Sequence, residues 1–208
     1  MVKKRGSIFS TLKNNPLLTL ISLILLALAI FISKISIKKT LSIQGIEPAR
    51  DLILTNFGPY NFPFNYLYLW GPVILIFTYF LYPVFCKREK IFYYLNMFSF
   101  LYLTRAFSIL LTNLKNPSDA IFPKMIYFPS ESNYLFFSGH VGLAFLSYLM
   151  FKEDSKIMKT IALIATFLMV ITVLALHVHY SIDVFAAFFI VYGIYKIGGA
   201  IKIYYDKK

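Results

Sequence analysis

The stretch IMKTIALIATFLMVITVLAL (157–176), followed by HVHYSID (177–183), decides the fold of this chain. The first part has 20 residues and one charge, which is the length and composition of a helix that crosses a bilayer. The second part places two histidines and an aspartate at the edge of that run, where titratable groups are costly and therefore indicate a functional site. The stretch therefore predicts a membrane helix with a polar site at its end.

The rest of the chain is also strongly hydrophobic. Of the 208 residues, 59% are hydrophobic and 14% are charged, which excludes an ordinary soluble domain. We predict an all-α integral membrane protein, a six-transmembrane-helix bundle that forms a single domain over residues 1–208, with a cytoplasmic tail at 1–15. The first run is too long, and lacks the cleavage site, for a cleaved signal peptide. The predicted spans are about 16–33, 66–85, 91–112, 134–151, 157–176 and 182–201.

The net charge of +12 follows the predicted topology. If six spans alternate, 14 of the 21 Lys and Arg residues fall on the side of the termini and six on the other side, while Arg105 lies within the third span. This bias predicts that both termini are cytoplasmic, with the plasma (cytoplasmic) membrane as the expected location. Basic charge of this kind indicates contact with anionic lipid and no nucleic-acid partner.

The same topology brings the polar motifs to one face. FFSGH (136–140) begins the fourth span and HYSID (179–183) begins the sixth, both at the extracytoplasmic side. Arg105 lies in the outer half of the third span, roughly 21 Å from its inner end at 1.5 Å per residue. We therefore predict an active site at the extracytoplasmic face of the bundle.

His179 and Asp183 are four positions apart, which predicts that they share one face of a helix. There the carboxylate can accept the Nδ1 proton and leave Nε2 free to attack phosphorus. The alternative is a structural pair that fixes the end of the sixth span. His177 lies on another side of such a helix, so we expect it to face a different partner or the headgroup region.

His140 is a second titratable ring, suited to protonating a departing alkoxide as a general acid. The alternative for it is a satisfied interfacial histidine. Ser138 and Gly139 lie near the start of a helix, where free N–H groups and the helix dipole favour an anion. We assign them to phosphate binding, since no G-x-S-x-G elbow makes Ser138 a nucleophile.

Arg105 is the one guanidinium within an apolar run, and it needs an anionic partner. A phosphoryl group would provide one through two parallel hydrogen bonds. The alternative is a buried pair with a carboxylate such as Asp183. Each carboxylate of the predicted outer loops is expected to be solvated: Glu47, Asp51, Asp119 and Glu131.

Beyond these separate motifs, the chain resembles a known family. SGH at the start of one span, with HYSID at the start of the next but one, is similar to the type-2 phosphatidic acid phosphatase superfamily of lipid phosphatases. YLFFSGH (134–140), ALHVHYSIDVFAAF (175–188) and YLTRAFSILLTNL (102–114) most resemble its sphingomyelin synthase-like branch. The resemblance covers most of the chain from about Asp51 onward.

The resemblance implies a metal-independent phosphotransferase or phosphatase without cofactors. It implies that His179 is the nucleophile and becomes a phosphohistidine, with Asp183 as its orienting partner and His140 as the general acid and base. The phosphate clamp it implies is Arg105 with Ser138 and Gly139. The phospho-headgroup of a phospholipid would pass to a lipid alcohol (transfer), or a lipid phosphate such as phosphatidic acid would be hydrolysed by water. A non-enzymatic transporter or scaffold that keeps the cluster as a proton or anion site is the third alternative.

Overall fold

The computed structural model describes residues 14–43, 45–112, 114–123 and 136–206, and helices dominate this part of the chain. Its α-helices are α1 Pro16–Leu41, α2 Leu52–Asn56, α3 Phe64–Cys86, α4 Ile91–Thr112, α5 Gly139–Phe151, α6 Lys156–Ala175 and α7 Ser181–Asp206. Among these residues, five helices are long and apolar enough to cross a membrane, namely α1, α3, α4, α6 and α7. The prediction of an all-helical protein with several membrane helices is thereby confirmed.

The first helix is longer than its predicted span. The apolar run ends near residue 33, but α1 continues to Leu41, so Lys34, Lys38 and Lys39 lie on a helix and not in a loop. The Thr40 hydroxyl donates to the Ser36 carbonyl at 2.9 Å, which satisfies a polar side chain within the helix. Lys38 and Lys39 occupy the last turn, where positive charge complements the helix dipole.

The fourth predicted span, 134–151, is only partly helical. Its helix α5 begins at Gly139 and has 13 residues, about 20 Å at 1.5 Å per residue, which is short of the roughly 30 Å of a hydrocarbon core. It begins there because Ser138 has an extended backbone and caps the helix with its hydroxyl. Hydropathy alone does not locate the start of α5, since Phe136 and Phe137 are as apolar as the helix itself.

The short helix α5 lies at the centre of the bundle. Nine of its 13 residues are buried, and it packs against α3, α4, α6 and α7. Its side chains form one hydrophobic core with those helices, with Tyr79, Leu101 and Val173 among the fully buried members. The first helix packs along α4, at the edge of the bundle. Large apolar side chains remain exposed along one face of α3, as expected for a helix in contact with lipid: Tyr66, Trp70, Ile74, Phe77, Leu81 and Phe85.

Two sets of contacts define the two ends of the bundle. At one end, Lys90 before α4 pairs with Asp154 after α5, so the α3–α4 and α5–α6 turns are neighbours. At the other end, the backbone N–H of Tyr60 donates to Ala175 O at 2.6 Å and that of Ile121 donates to Leu176 O at 2.8 Å. The loops before α3 and after α4 therefore cover the α6–α7 turn. We call this second end the site end, because it carries the residues described next.

Candidate active site

His179 and Asp183 meet at the α6–α7 turn. His179 Nδ1 lies 3.2 Å from Asp183 Oδ2, and both side chains are buried. The prediction that one helix carries both was wrong, because α7 begins only at Ser181 and His179 precedes it. Asp183 is the third residue of α7, and its carboxylate reaches back over the first turn to the histidine.

The Asp183 carboxylate also caps α7. Its Oδ2 accepts the Tyr180 N–H at 3.1 Å, in the manner of an acidic residue at the third helical position. The backbone carbonyl of Asp183 accepts the Ser138 N–H at 3.2 Å, which joins the start of α5 to the start of α7. Its Oδ1 atom is buried and accepts no hydrogen bond from the described residues. One acidic residue thus holds both a histidine and the two helix starts.

Ser138, Gly139 and His140 form the beginning of α5. The Ser138 Oγ atom accepts the Val141 N–H at 3.5 Å, so the hydroxyl caps the helix. The His140 ring stacks on Tyr68 of α3, with 4.3 Å between ring centroids and 25° between planes. His140 lies within electrostatic range of His179 and Arg105. The structure therefore brings both SGH and HYSID motifs to one end of the bundle.

Arg105 reaches the start of α5 from α4. Its Nε donates to the Phe137 carbonyl at 3.2 Å. A Cβ atom at Gly139 would stand 2.8 Å from that Nε, so the side chain crosses directly over the glycine. The described residues contain no ion pair between Arg105 and Asp183, which was the alternative for this arginine. Within the same residues, its other guanidinium nitrogens donate no hydrogen bond.

His177 has a separate set of partners. Its Nδ1 lies 2.8 Å from Asp119 Oδ2, and its Nε2 contacts the Phe57 carbonyl. The residue is buried and has a positive φ of 54°, which turns the chain between α6 and His179. His177 thus faces a partner different from that of His179. The prediction that Asp119 is simply solvated was wrong, because it pairs with this ring while half exposed.

Asp51 was also predicted to be solvated, and this was wrong too. Its Oδ1 caps α2 by accepting the N–H groups of Ile53 and Leu54, at 2.8 and 3.3 Å. Its Oδ2 accepts both the N–H and the hydroxyl of Ser181, at 2.6 and 2.8 Å. Burial acts against ionisation of the Asp51 carboxyl, but these hydrogen bonds together hold its pKa below the usual value.

Tyr180 ties the turn to both neighbouring loops. Its hydroxyl donates to the Lys115 carbonyl and accepts the Ala49 N–H, each at 2.9 Å. Burial raises the pKa of this phenol, so it remains a neutral donor at ordinary pH. The turn that carries His179 is therefore held by hydrogen bonds from the loop before α3 and from the loop after α4.

Three residues of this end were not singled out for a role at the site from the sequence: Tyr68, Tyr180 and Asp51. Tyr68 stands among other aromatic residues, and nothing local distinguishes it from an interfacial tyrosine. Asp51 precedes an apolar run in the manner of a helix N-cap, so its capping role could have been found. Glu131 lies outside the described residues. Within those residues, no group of three or more His, Cys, Asp or Glu side chains could hold a metal ion.

The geometry combines a buried His–Asp contact, a second histidine and a guanidinium at one end of a membrane bundle. Residues 133–199 match the family model described as PAP2 superfamily C-terminal. The match spans about a third of the chain and includes the SGH and HYSID motifs but not Arg105 or Asp51. It supports the PAP2 superfamily and a function of the lipid phosphatase type. No curated protein and no solved structure matches the chain.

Proposed function

We propose that this protein is a PAP2-type membrane enzyme that acts on a phospholipid or lipid phosphate through a phosphohistidine at His179. The observation that carries the proposal is the buried contact between His179 Nδ1 and Asp183 Oδ2, at 3.2 Å. A carboxylate at Nδ1 keeps that nitrogen protonated and leaves the lone pair on Nε2, which is the form a nucleophile needs. Burial of both side chains strengthens this preference.

In the first half of the proposed reaction, His179 Nε2 attacks phosphorus and the bond from phosphorus to the leaving lipid oxygen breaks. His140 donates a proton to that oxygen as general acid, while Asp183 stabilises the charged imidazole. The nitrogens of Arg105 that do not contact Phe137 bind the phosphoryl oxygens, together with the first turn of α5 at Ser138 and Gly139. These groups supply the positive charge, so the proposed mechanism uses no metal ion or cofactor.

In the second half, the acceptor hydroxyl gives its proton to His140 and its oxygen attacks phosphorus, which releases His179. A lipid alcohol as acceptor gives transfer, and water gives hydrolysis. We propose sphingomyelin synthase-like transfer of a phospho-headgroup, because segments 102–114, 134–140 and 175–188 resemble that branch. Hydrolysis of phosphatidic acid or another lipid phosphate is the alternative, and the PAP2 match is compatible with both reactions.

The proposed topology has six crossings within one domain over residues 1–208. Helix α5 supplies one of them despite its length, because its two ends reach the two ends of the bundle. Ser138 bonds to Asp183 at the site end, and the Tyr94 hydroxyl bonds to the Met150 carbonyl near the other. With both termini cytoplasmic, the site end faces the extracytoplasmic side of the plasma (cytoplasmic) membrane.

Purified protein with labelled phospholipids tests the function. We expect labelled phosphatidylcholine or phosphatidic acid to be converted, with ceramide or diacylglycerol as acceptor in the transfer reaction and free phosphate as the product of hydrolysis. His179→Ala should abolish turnover and the acid-labile phosphoenzyme, because the covalent bond forms at that ring. Asp183→Asn should lower kcat about 10²–10⁴-fold, as for other carboxylates that orient a catalytic histidine. Normal turnover by His179→Ala would rule out the phosphohistidine mechanism.

A further inference from the structure

The two carboxylate oxygens of Asp51 accept hydrogen bonds from two different helices. The Oδ1 atom serves α2, through the N–H groups of Ile53 and Leu54, and the Oδ2 atom serves Ser181, the first residue of α7. The contact to Ser181 is the closer one, with 2.6 Å to the backbone nitrogen and 2.8 Å to the hydroxyl. Hydrogen bonds to a carboxylate are about twice as strong as those between neutral groups. Asp51 is therefore a firm link between the loop before α3 and the start of α7.

The linked residue lies between the two members of the His–Asp contact. Ser181 follows His179 by two residues and precedes Asp183 by two. Because His179 is not on α7, helical geometry does not set its distance to Asp183. That distance depends on where the turn meets the first residue of the helix, and Ser181 is this point. An interaction that fixes the backbone of Ser181 therefore also fixes the position of His179 relative to the Asp183 carboxylate.

We propose that Asp51 is a positioning residue for the His179–Asp183 contact, acting through Ser181. This rests on the proposed function, since it assigns a task within the same site. Asp51 does not contact the reacting atoms; it prevents the turn from shifting relative to α7, and so keeps His179 Nε2 directed at phosphorus. Displacement of a catalytic group by about 1 Å can lower a rate about 100-fold.

The two oxygens of Asp51 allow its two tasks to be separated. A serine at this position caps a helix about as well as an aspartate, so Asp51→Ser should preserve α2. A single hydroxyl oxygen cannot also accept the N–H and the hydroxyl of Ser181. Asp51→Ser therefore removes the link to α7 while it retains the cap. The matched control is Glu47→Gln, an exposed carboxylate in the same loop.

The experiment measures single-turnover formation of the phosphoenzyme, with rates normalised to the amount of phosphohistidine that each variant forms. We expect Asp51→Ser to lower the rate of formation and kcat about 10- to 100-fold, the scale typical of residues that orient functional side chains. The KM for lipid should stay within about twofold, because the binding groups remain. A merely structural role would instead lower the amount of active enzyme and leave the normalised rate unchanged.

The Ser181 hydroxyl provides a second measurement. Ser181→Ala removes only the hydroxyl bond to Asp51 and keeps the N–H bond, so its effect on the normalised rate should be smaller than that of Asp51→Ser. In the Asp51→Ser background the same change should have no further effect, since its partner is already gone. Fully additive losses would contradict the proposed link.

The outcomes separate this proposal from the proposed function. If wild type forms a phosphoenzyme, His179→Ala does not, and Asp51→Ser forms it at the wild-type rate, then Asp51 is not a positioning residue. If wild type forms no phosphoenzyme with any lipid, the proposed function fails, and the role of Asp51 fails with it. If Glu47→Gln slows the reaction as much as Asp51→Ser, the effect belongs to loop charge and the proposal is wrong.

Discussion

Gly139 has no side chain, and this determines where the charged side chain of Arg105 can lie. The Arg105 side chain crosses over the Cα of Gly139, and its Nε reaches the Phe137 carbonyl at 3.2 Å. From the sequence, this glycine was assigned to close approach of a phosphate. In the structure it permits close approach of the guanidinium that we propose binds the phosphate. The absence of a side chain at Gly139 thus gives the arginine space, in addition to the phosphate contact proposed for its backbone.

Gly139→Ala is expected to lower kcat about 10- to 100-fold, because a Cβ atom 2.8 Å from Arg105 Nε displaces the guanidinium. The fold should persist, since the arginine is a flexible side chain and alanine is favoured over glycine in a helix by roughly 0.5–1 kcal/mol. Lipid turnover and thermal melting in detergent provide the measurement. The matched control is Gly193→Ala on α7, where nothing lies within 4 Å of the added atom. Equal kcat in both variants would contradict this account of Gly139.

At the scale of single elements, the α6–α7 turn and α5 carry the site in different ways. Residues 177–180 of the turn are not helical, and the neighbouring loops hold the turn through Tyr180, His177 and Ser181. Helix α5 is held by burial, because helices surround it on every side. The proposed nucleophile His179 thus depends on polar contacts, while the proposed acid His140 depends on packing.

The turns at the end opposite the site are joined by a buried carboxylate. The Asp154 side chain is 3% exposed and pairs with Lys90 at 2.5 Å, while the Tyr94 hydroxyl lies 3.1 Å from its other oxygen. Lys90→Met should lower the free energy of unfolding by roughly 1–3 kcal/mol, because it leaves a buried carboxylate without its cation. Thermal or denaturant melting in detergent measures this loss.

Two further variants test the cause of that loss. Lys87→Met removes a neighbouring lysine that has no carboxylate partner among the described residues, so it should change stability little. Combining Lys90→Met with Asp154→Leu should recover part of the stability, because no buried charge is then left without a partner. If the double variant is less stable than Lys90→Met alone, the ion pair is not the source of the effect.

At the scale of the whole molecule, the two ends of the bundle differ in chemistry. The site end contains the histidines and the carboxylates that hold them, whereas the opposite end contains the basic turns around Lys87–Lys90 and Lys152–Lys159. Basic turns on one side indicate the cytoplasmic face. The basic turns thus favour an orientation in which the site end faces the extracytoplasmic side.

Cysteine labelling tests this orientation. In a Cys86→Ser background, Ser118→Cys at the site end should react with a membrane-impermeant maleimide on intact cells. Lys152→Cys at the opposite end should react only after permeabilisation, because its turn faces the cytoplasm in the proposed topology. Both positions are exposed on the described surface, so accessibility does not bias the comparison. Labelling of position 152 from outside intact cells would reverse the proposed topology.

The sequence by itself determined the membrane helices and the residues that mark the site. Hydropathy is a local property, so a run such as 157–176 can be recognised as a helix without knowledge of its neighbours. The SGH and HYSID motifs were recognisable because their residues are neighbours in the chain. Helix boundaries were less accurate where an apolar residue stands outside a helix, as at Phe137, or where a basic turn extends one, as at Lys38.

Only the tertiary structure decided which distant residues hold the site together. Asp51 and Ser181 are 130 positions apart, and Tyr68 reaches His140 from another helix. No local period encodes such pairs, because they depend on how the helices pack and on where the loops cross the turn. The same holds for α5, whose apolar sequence fits a lipid-facing span equally well. Its place at the centre follows from the surrounding helices, which bury it on all sides.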